Sequence, residues 1–300
     1  MTVRETIGFI GLGRMGGPMA RNLAAKQMPP MVYDLSAAAM ARIEAVGGKS
    51  AANAAELARA STVVFTMLPG PPEVDAVLLA ADGAMANMKP GGLVVDMSTV
   101  LPETTDTLAK AAVARGLGFV DAPVGRLASH AERGESLFMV GASDGDFARV
   151  KPLLAAMGTT IHHCGPPGSG TRTKLINNLL AIVSCMMNAE ALTLAKRFGL
   201  DIAKTLEVVH GTTATNGQLK LNYATKVFKG DIEPGFAIDL AHKDLSLIAE
   251  SANRARMPAP IVAMARESLS LARAAGWGGK DFSALLDFWC ERAGVDKVRL

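Results

Sequence analysis

The pattern of hydrophobic and polar positions divides the chain into two halves. In the first half, short apolar runs alternate with alanine-rich stretches of helical periodicity. We predict strands at TIGFIG (6–11), MVYD (31–34), TVVFTML (62–68), GLVVDM (92–97) and GFVDAPV (118–124). Continuous apolar strands separated by helices are typical of a parallel sheet covered on both faces, the doubly wound α/β architecture.

The second half has the pattern of a helical domain. The last strand signals are LFMVG at 137–141 and TTIHH at 159–163, and GPPGSG at 165–170 then interrupts the chain. The run from Thr171 to Phe198 contains neither Gly nor Pro, which predicts one long helix. Further helical patterns lie at 201–210, 238–255, 259–275 and 281–291. We therefore predict a Rossmann domain over residues 1–166 and an all-α domain over residues 167–300, joined through the long helix.

Charge and hydropathy argue against two classes of partner. The 31 Lys and Arg residues against 28 Asp and Glu give a net charge of +3, without a basic run that could follow a nucleic-acid backbone. The apolar run LLAIVSCMM at 179–187 is shorter than the roughly 18 residues of a membrane helix, so we interpret it as a buried core helix. The N-terminal sequence lacks the pattern of a secretory signal, which predicts a cytoplasmic protein.

The cysteines do not predict a metal site. Cys164, Cys185 and Cys290 are far apart and lack the CxxC or Cys/His spacing that metal binding requires. We expect buried or incidental thiols and no metal.

A glycine-rich turn follows the first predicted strand and begins a helix. GFIGLGRMGGPMA places Gly11, Gly13 and Gly16 in a GxGxxG, with the remaining turn positions occupied by Leu12, Arg14 and Met15. In this context the turn predicts a dinucleotide site, because its backbone can approach a pyrophosphate at the helix N-terminus. The alternative is a glycine turn without a ligand.

An acidic residue at the end of the second strand indicates which dinucleotide binds. Asp34 lies 18 residues after Gly16, where a carboxylate binds the adenosine ribose hydroxyls and repels a 2′-phosphate. No Arg follows at 35 or 36. We therefore expect NAD(H) rather than NADP(H). The alternative role of Asp34 is to cap the next helix, although Ser36 could do this itself.

Two later strand ends are expected to border the nicotinamide, because ligands bind beyond the carboxyl ends of parallel strands. Leu68 and Pro69 end one strand, and Ser98 and Thr99 end another. Of these, we assign Ser98 to the substrate and the other three to the cofactor. For the second pair, capping of the helix that begins near Pro102 is an alternative role.

The long helix carries a polar group that suits proton transfer. Lys174 and Asn178 are spaced i and i+4 on one face, with Asn177 beside them. Carbonyl reduction needs a proton donor at the oxygen, and a lysine can serve if burial lowers its pKa. A solvated lysine near a helix start is the alternative.

Five segments follow one another in the order FIGLGRMGGPMARNL, DMSTV, DAPV, GSGTRTKLINN and FAIDLAHKDL. Together they resemble the β-hydroxyacid dehydrogenase family, the 3-hydroxyisobutyrate dehydrogenase-like enzymes, from about residue 5 to residue 295. The resemblance implies that Lys174 is the catalytic acid/base and that Asn178 orients the substrate. It also implies that Lys243 reaches the cofactor and that Leu68 and Thr99 line the NAD site.

The segment after DAPV departs from the family pattern. Members that handle simple carboxylates usually have Ser-Gly-Gly there, whereas this chain has Gly125, Arg126 and Leu127. Arg offers several N–H donors to an oxyanion and suits a three-oxygen sulfonate. This resembles the branch that reduces 3-sulfolactaldehyde with NADH. The backbone of the long helix is expected to complete that substrate site, at Asn177, Asn178, Leu179, Leu180 and Ala181.

Other interpretations remain open at this stage. The substrate could be a carboxylate: 3-hydroxyisobutyrate, tartronate semialdehyde or succinic semialdehyde. A non-catalytic dinucleotide-binding module or a reductive aminase would be expected to lack Lys174. The apolar circumference of LLAIVSCMMNAEALTLA favours a homodimer or homotetramer, with a monomeric core helix as the alternative.

Overall fold

The computed structural model describes residues 5–300. They form two compact units, of which the first ends at Lys174 and the second comprises Leu175–Leu300. The strands are β1 (Ile7–Ile10), β2 (Met31–Tyr33), β3 (Lys49–Ser50), β4 (Val63–Thr66), β5 (Leu93–Asp96), β6 (Gly118–Asp121), β7 (Val124–Gly125), β8 (Ser136–Gly141) and β9 (Gly158–Gly165).

Helices alternate with the strands in the first unit and make up the regular structure of the second. The α-helices are α1 (Gly16–Ala25), α2 (Ala37–Glu44), α3 (Ala54–Ala60), α4 (Pro71–Leu78), α5 (Ala84–Asn87), α6 (Pro102–Val113), α7 (Ala128–Glu132), α8 (Asp144–Met157), α9 (Ser169–Arg197), α10 (Ile202–His210), α11 (Ile238–Arg254), α12 (Pro260–Ala274) and α13 (Leu285–Ala293). A π-helical turn at Gln218–Tyr223 and short 3₁₀ helices at Val227–Lys229 and Phe282–Ala284 complete the second unit.

The strands of the first unit form one sheet in the order β3-β2-β1-β4-β5-β6-β8-β7, with β9 beside β8. The neighbours from β3 to β6 are parallel, whereas β8 is antiparallel to β6 and β7 and parallel to β9. The strand order reverses between β1 and β4, and this is the point where doubly wound sheets bind their ligands. The predicted architecture, a Rossmann domain followed by a helical domain, is confirmed.

The central strands β1, β4 and β5 are mainly apolar and are buried on both faces of the sheet, whereas β3 and β9 are polar and partly exposed. Side chains alternate between two hydrophobic clusters: Phe9 and Phe65 pack on one face, while Ile10 and Val64 pack on the other. β-branched and aromatic residues fit this pleated surface well. The core therefore lies in two layers around the sheet and fixes the strand ends from which the candidate site residues project.

Helix α9 begins at Ser169, two residues before the predicted start. By length and composition alone it could cross a membrane, since its most apolar 18-residue window has a mean hydropathy of 1.4. However, 56% of that window is buried inside the protein, and the core helix of a soluble protein passes the same test.

The thiols match the sequence interpretation. Cys185 and Cys290 are buried, which raises the pKa of each thiol, and Cys164 is partly exposed. Among residues 5–300, no group of three or more His, Cys, Asp and Glu side chains is arranged to hold a metal ion.

Candidate active site

The three glycines of the first turn meet three different steric requirements. Gly11 has a φ of +93°, and its N–H donates to the Tyr33 carbonyl at 3.0 Å. A Cβ on Gly16 would lie 2.0 Å from the Gly11 carbonyl oxygen, so only glycine lets α1 start this close to β1. A Cβ on Gly13 would meet no atom within 4 Å. This open position is where a pyrophosphate can approach the backbone. Arg14 is exposed, and Met15 is the N-cap residue of α1.

Asp34 connects the glycine turn to the second strand. Its Oδ2 accepts a hydrogen bond from Leu12 N at 2.6 Å, and its Oδ1 accepts from Ser36 N at 2.7 Å. The side chain of Ser36 accepts from Ala39 N, so Ser36 and not Asp34 is the N-cap residue of α2. The carboxylate therefore fixes the turn while remaining at the end of β2, where a ribose would bind.

A buried carboxylate organises the ends of β4 and β5. Asp96 Oδ1 accepts from the Thr66 hydroxyl at 2.8 Å and from Ser98 N at 3.1 Å. Ser98 Oγ in turn accepts from Leu68 N at 3.0 Å, which brings these two predicted residues together. Burial raises the pKa of Asp96, and the hydrogen bonds from Ser98 and Thr66 oppose that shift.

The neighbouring predicted residues, Pro69 and Thr99, lie on the same two strand ends. Pro69 is exposed and Thr99 is half-buried. The N-cap residue of α6 is Leu101, whose side chain makes no capping hydrogen bond.

Lys174 reaches the segment that follows β6. Its Nζ donates to the Val124 carbonyl at 2.7 Å, and the side chain is partly buried. Three residues before Val124, the Asp121 carboxylate accepts from Gly168 N at 2.6 Å and from Thr171 N at 2.7 Å. Burial raises the pKa of Asp121, while these two backbone donors act in the opposite direction. The DAPV segment therefore holds both the first turn of α9 and the ammonium group.

A second network lies on α9 and α11 within the second unit. Asn178, only 5% exposed, donates from Nδ2 to Asp244 Oδ2 at 2.6 Å, and Asn177 donates to Asn178 Oδ1 at 3.0 Å. Lys243 Nζ lies 3.0 Å from Asp244 Oδ1. The buried Asp244 thus contacts Asn178 and Lys243, two residues to which the sequence assigned different ligands.

The helix limits what residues 177–181 can bind. They lie well inside α9, where each backbone N–H bonds the carbonyl four residues earlier. Backbone recognition of an anion at Asn177, Asn178, Leu179, Leu180 and Ala181, expected from the sequence, does not fit this conformation, and only side chains remain candidates. Asn178 and Ala181 share the face of Lys174 at i+4 and i+7, whereas Leu180 is 62% exposed and lies on another side of the helix.

Arg126 follows the buried Gly125 of β7 and has a φ of 71°, in the left-handed region that glycine favours. Its Nη1 donates to the Glu135 carbonyl at 2.6 Å. Nη1 and Nη2 also donate to the hydroxyls of Thr159 and Thr160 in β9, each at 3.2 Å. The residue is exposed, and its Nε–H and second Nη2–H have no hydrogen-bond partner among residues 5–300.

Charges of both signs lie near Arg126, because Arg133 forms an ion pair with Glu135. Burial, together with the cations of Arg133 and Arg126, lowers the pKa of His130. Arg133 also lowers the pKa of Glu135 by hydrogen bonding to its carboxylate. An anion at the available donors of Arg126 would therefore be attracted mainly by Arg126 itself, since Arg133 is already paired.

Sequence reasoning missed three buried aspartates: Asp96, Asp121 and Asp244. The first two end apolar strands, and an acidic residue at that position of an apolar run was the available signal. For Asp244, the only signal in the sequence was its position next to Lys243 in AHKDL.

The glycine turn, the carboxylate after β2 and the polar strand ends define a dinucleotide-binding oxidoreductase of the Rossmann type. Residues 6–165 match the family described as the NAD binding domain of 6-phosphogluconate dehydrogenase. Residues 168–289 match the NAD-binding domain of NADP-dependent 3-hydroxyisobutyrate dehydrogenase.

Individual relatives agree with these matches over nearly the whole chain. The chain is 40% identical to 3-sulfolactaldehyde reductase of Escherichia coli K12, over 94% of each protein. It is 37% identical to 2-(hydroxymethyl)glutarate dehydrogenase of Eubacterium barkeri, over 96% of each. The solved 3-hydroxyisobutyrate dehydrogenase of Mycobacterium tuberculosis, with L-serine, has a TM-score of 0.87 and 30% identity, with coverage of 95% of this chain and 99% of that one.

The chain belongs to the β-hydroxyacid dehydrogenase family, the 3-hydroxyisobutyrate dehydrogenase-like enzymes. It is an NAD(P)-binding hydroxyacid dehydrogenase, and its relatives act on small hydroxyacid or semialdehyde substrates. Solved relatives of this fold include a complex with NADP⁺.

Proposed function

We propose that this enzyme reduces an anionic three-carbon semialdehyde with NADH, and that its substrate is 3-sulfolactaldehyde, giving 2,3-dihydroxypropane-1-sulfonate. The observation that carries the proposal is the position of Arg126, two residues after the carbonyl that binds Lys174 Nζ. A guanidinium with N–H groups still available is thus attached to the backbone segment that holds the proton donor. The 40% identity to a 3-sulfolactaldehyde reductase supports the same substrate.

Lys174 is the proton donor in this proposal. The dinucleotide, when bound, supplies the hydride that adds to the carbonyl carbon. The Lys174 ammonium donates a proton to the carbonyl oxygen as negative charge develops there, and the amine is reprotonated from solvent. In the reverse direction the neutral amine removes the hydroxyl proton. The hydrogen bond to the Val124 carbonyl limits the directions in which Nζ can point, which favours proton transfer along one line.

Arg126 selects the anion. A sulfonate presents three oxygens, and the Nε–H and second Nη2–H of Arg126 can bind two of them. The left-handed backbone at position 126 costs an arginine on the order of 1 kcal/mol, and strain of this kind is commonly retained at ligand sites. Gly125 is part of the same segment, and the side chains of Asn177 and Asn178 are the helix groups available to orient the substrate.

A carboxylate substrate is the second candidate, supported by the 37% identity to 2-(hydroxymethyl)glutarate dehydrogenase. In this case the enzyme would act on 3-hydroxyisobutyrate, tartronate semialdehyde or succinic semialdehyde with the same proton donor. Arg126 would then bind a two-oxygen anion.

We propose NADH as the preferred cofactor. The Asp34 carboxylate, held by Leu12 N and Ser36 N, would accept hydrogen bonds from ribose hydroxyls and repel a 2′-phosphate. The turn residues Gly11, Leu12, Gly13, Arg14, Met15 and Gly16 would hold the pyrophosphate, while Leu68, Pro69, Thr99 and Lys243 would contact the rest of the cofactor. The expected measurement is a kcat/KM for NADH at least about tenfold above that for NADPH.

We also propose a functional division into a dinucleotide-binding domain (1–166) and a substrate and assembly domain (167–300) of a cytoplasmic enzyme. The exposed apolar side chains Ile176, Leu180, Met187 and Leu194 along α9 support self-association into a homodimer or homotetramer. Sedimentation of the purified protein distinguishes these states from a monomer.

The substrate proposal is tested by following NADH absorbance with a panel of semialdehydes. We expect the kcat/KM for 3-sulfolactaldehyde to exceed those of tartronate, succinic and methylmalonic semialdehydes by about tenfold or more. A carboxylate that matches or exceeds the sulfonate would overturn it.

A further inference from the structure

Asp121 lies where strand β6 meets the start of helix α9. The side chain is 1% exposed, and each carboxylate oxygen accepts one backbone hydrogen bond. Oδ1 accepts from Gly168 N at 2.6 Å and Oδ2 accepts from Thr171 N at 2.7 Å. These N–H groups lie at the helix start, where no carbonyl of the same helix is available to accept from them. A negative charge at this end also complements the helix dipole.

Two glycines allow the helix start to come this close to the sheet. A Cβ on Gly170 would lie 2.2 Å from the Met139 carbonyl oxygen and 2.7 Å from that of Asp121. A Cβ on Gly141 would lie 2.3 Å from Asp121 Oδ1. The first turn of α9 therefore rests directly on the backbone of β6 and β8, with no room for a side chain at Gly170 or Gly141.

The segment that begins with Asp121 also contains the hydrogen-bond acceptor of Lys174. Val124 follows three residues later, and its carbonyl accepts from Lys174 Nζ at 2.7 Å. On the helix, Lys174 lies three residues after Thr171, so the two contacts are about one turn apart. Residues 121–124 thus contact the helix backbone at its start and the ammonium group one turn later.

We propose that Asp121 is a positioning residue for catalysis: by fixing the first turn of α9 against β6, it sets where Lys174 Nζ lies when the proton is transferred. The inference rests on the proposed role of Lys174 as proton donor. Asp121 itself contacts neither substrate nor cofactor in this proposal. A displacement of the turn by about 1 Å would move Nζ relative to the carbonyl oxygen, and misplacements of that size cost on the order of a hundredfold in rate.

Asp121→Asn is the direct test. The amide keeps one acceptor oxygen but turns an N–H donor towards a backbone N–H, so one of the two bonds is replaced by a donor–donor contact. We expect kcat to fall by about 10- to 100-fold, with the KM and dissociation constant of NADH within about threefold of the original values. The glycine turn and Asp34, which hold the cofactor, are unchanged in this variant.

Thr105→Val is the matched control. The buried Thr105 hydroxyl, in α6, lies 3.0 Å from the hydroxyl of Thr171 in the first turn of α9. Thr105 thus contacts the same turn as Asp121, but it does not bind the N–H group of Gly168 or of Thr171. This variant should lose stability while kcat stays within about threefold. If Asp121→Asn retains kcat, or if Thr105→Val loses as much, Asp121 has only a structural role and the proposal fails.

A second variant decides the matter if Asp121→Asn does not fold. Gly170→Ala keeps the carboxylate but forces the turn away from β8, so the same loss of kcat with unchanged NADH affinity is expected. A normal kcat in Gly170→Ala would overturn the proposal. Lys174→Ala separates the two hypotheses: if it is inactive while Asp121→Asn is normal, only the positioning role is wrong. If Lys174→Ala remains active, the proposed function itself is wrong.

Discussion

Asp96 and Asp121 end adjacent strands, pair in register across the sheet and are both buried. However, their carboxylates accept hydrogen bonds from different parts of the protein. Both hydrogen bonds described for Asp96 end on one oxygen, Oδ1, and come from Thr66 and Ser98. Asp121 uses both oxygens, and both bonds come from the start of α9. One carboxylate orders the loops beside the proposed cofactor site, and the other binds the start of the helix that carries Lys174, the proposed proton donor.

This difference between the two carboxylates predicts that substitutions at Asp96 and at Asp121 change different quantities, cofactor binding and turnover. A perturbation at the end of β5 should act first on dinucleotide affinity, because Ser98 fixes Leu68 N. A perturbation at the end of β6 should act on the rate of proton transfer, because the same segment holds Lys174. We therefore predict that the same type of residue at equivalent strand positions supports two separable steps.

We expect the largest effect from substitution of Lys174, whose Nζ binds the segment that follows β6. Lys174→Ala should lower kcat by about 10²- to 10⁴-fold while NADH still binds, because the general acid is lost and the glycine turn is intact. Lys174→Arg should remain nearly as slow, since a guanidinium does not release its proton.

Lys151→Ala is the control for Lys174→Ala, since Lys151 lies over the Phe147 ring in α8 and takes no part in the site. Steady-state kinetics and NADH fluorescence titrations measure both quantities. Near-normal turnover in Lys174→Ala would contradict the mechanism.

A smaller effect is expected at the end of β5. Asp96→Ala leaves the Thr66 hydroxyl and Ser98 N without their buried acceptor, which should raise the KM for NADH by about tenfold and change kcat much less. Asp96→Asn retains Oδ1 and should stay within about threefold in both constants, unlike the same substitution at position 121. If Asp96→Ala lowers kcat and leaves the KM unchanged, the division between the two strand ends is wrong.

The smallest effect is expected at Glu5, a partly exposed carboxylate of the same unit. Hydrogen bonds from Arg149 lower the pKa of Glu5 below its ordinary value of 4.5. Its contribution to stability is therefore complete above about pH 5 and is lost as the pH falls through the lowered pKa. Glu5→Gln should cost about 1 kcal/mol near pH 7, a modest value because solvent screens the pair.

Thermal unfolding of Glu5→Gln and the original protein tests this. The difference in Tm seen near pH 7 should shrink as the pH falls below 4.5 and through the lowered pKa of Glu5, and it should vanish once Glu5 is protonated in both states. A difference that persists at low pH would mean that packing rather than charge is responsible.

The parts of the site that depend on local spacing could be predicted from the sequence. Gly11, Gly13 and Gly16 are set by one turn, and Asp34 follows at a distance that the βαβ unit determines. Their geometry agrees with the steric roles such a turn requires. The apolar runs likewise located five of the six parallel strands from β1 to β6, but not the two-residue β3.

The partners of Asp121 and Asp244 could not be predicted, because they are distant in sequence. Asp121 bonds residues 47 and 50 positions later, and Asn178 bonds Asp244, 66 positions away. Only the fold brings such pairs together. The positive φ of Arg126 has no local signal either, since a non-glycine residue adopts it only when surrounding contacts hold it there.

The measurement that most directly tests the account compares substrate preference in Arg126→Gly and the original enzyme. The quantity is the ratio of kcat/KM for 3-sulfolactaldehyde to that for succinic semialdehyde. Because glycine tolerates the left-handed backbone conformation at position 126, the segment should keep its path in Arg126→Gly. Arg133→Gln, which removes a nearby positive charge, is the control. We predict that the ratio falls by about tenfold or more in Arg126→Gly and is unchanged in Arg133→Gln. Equal losses on both substrates would contradict the claim that Arg126 selects the sulfonate.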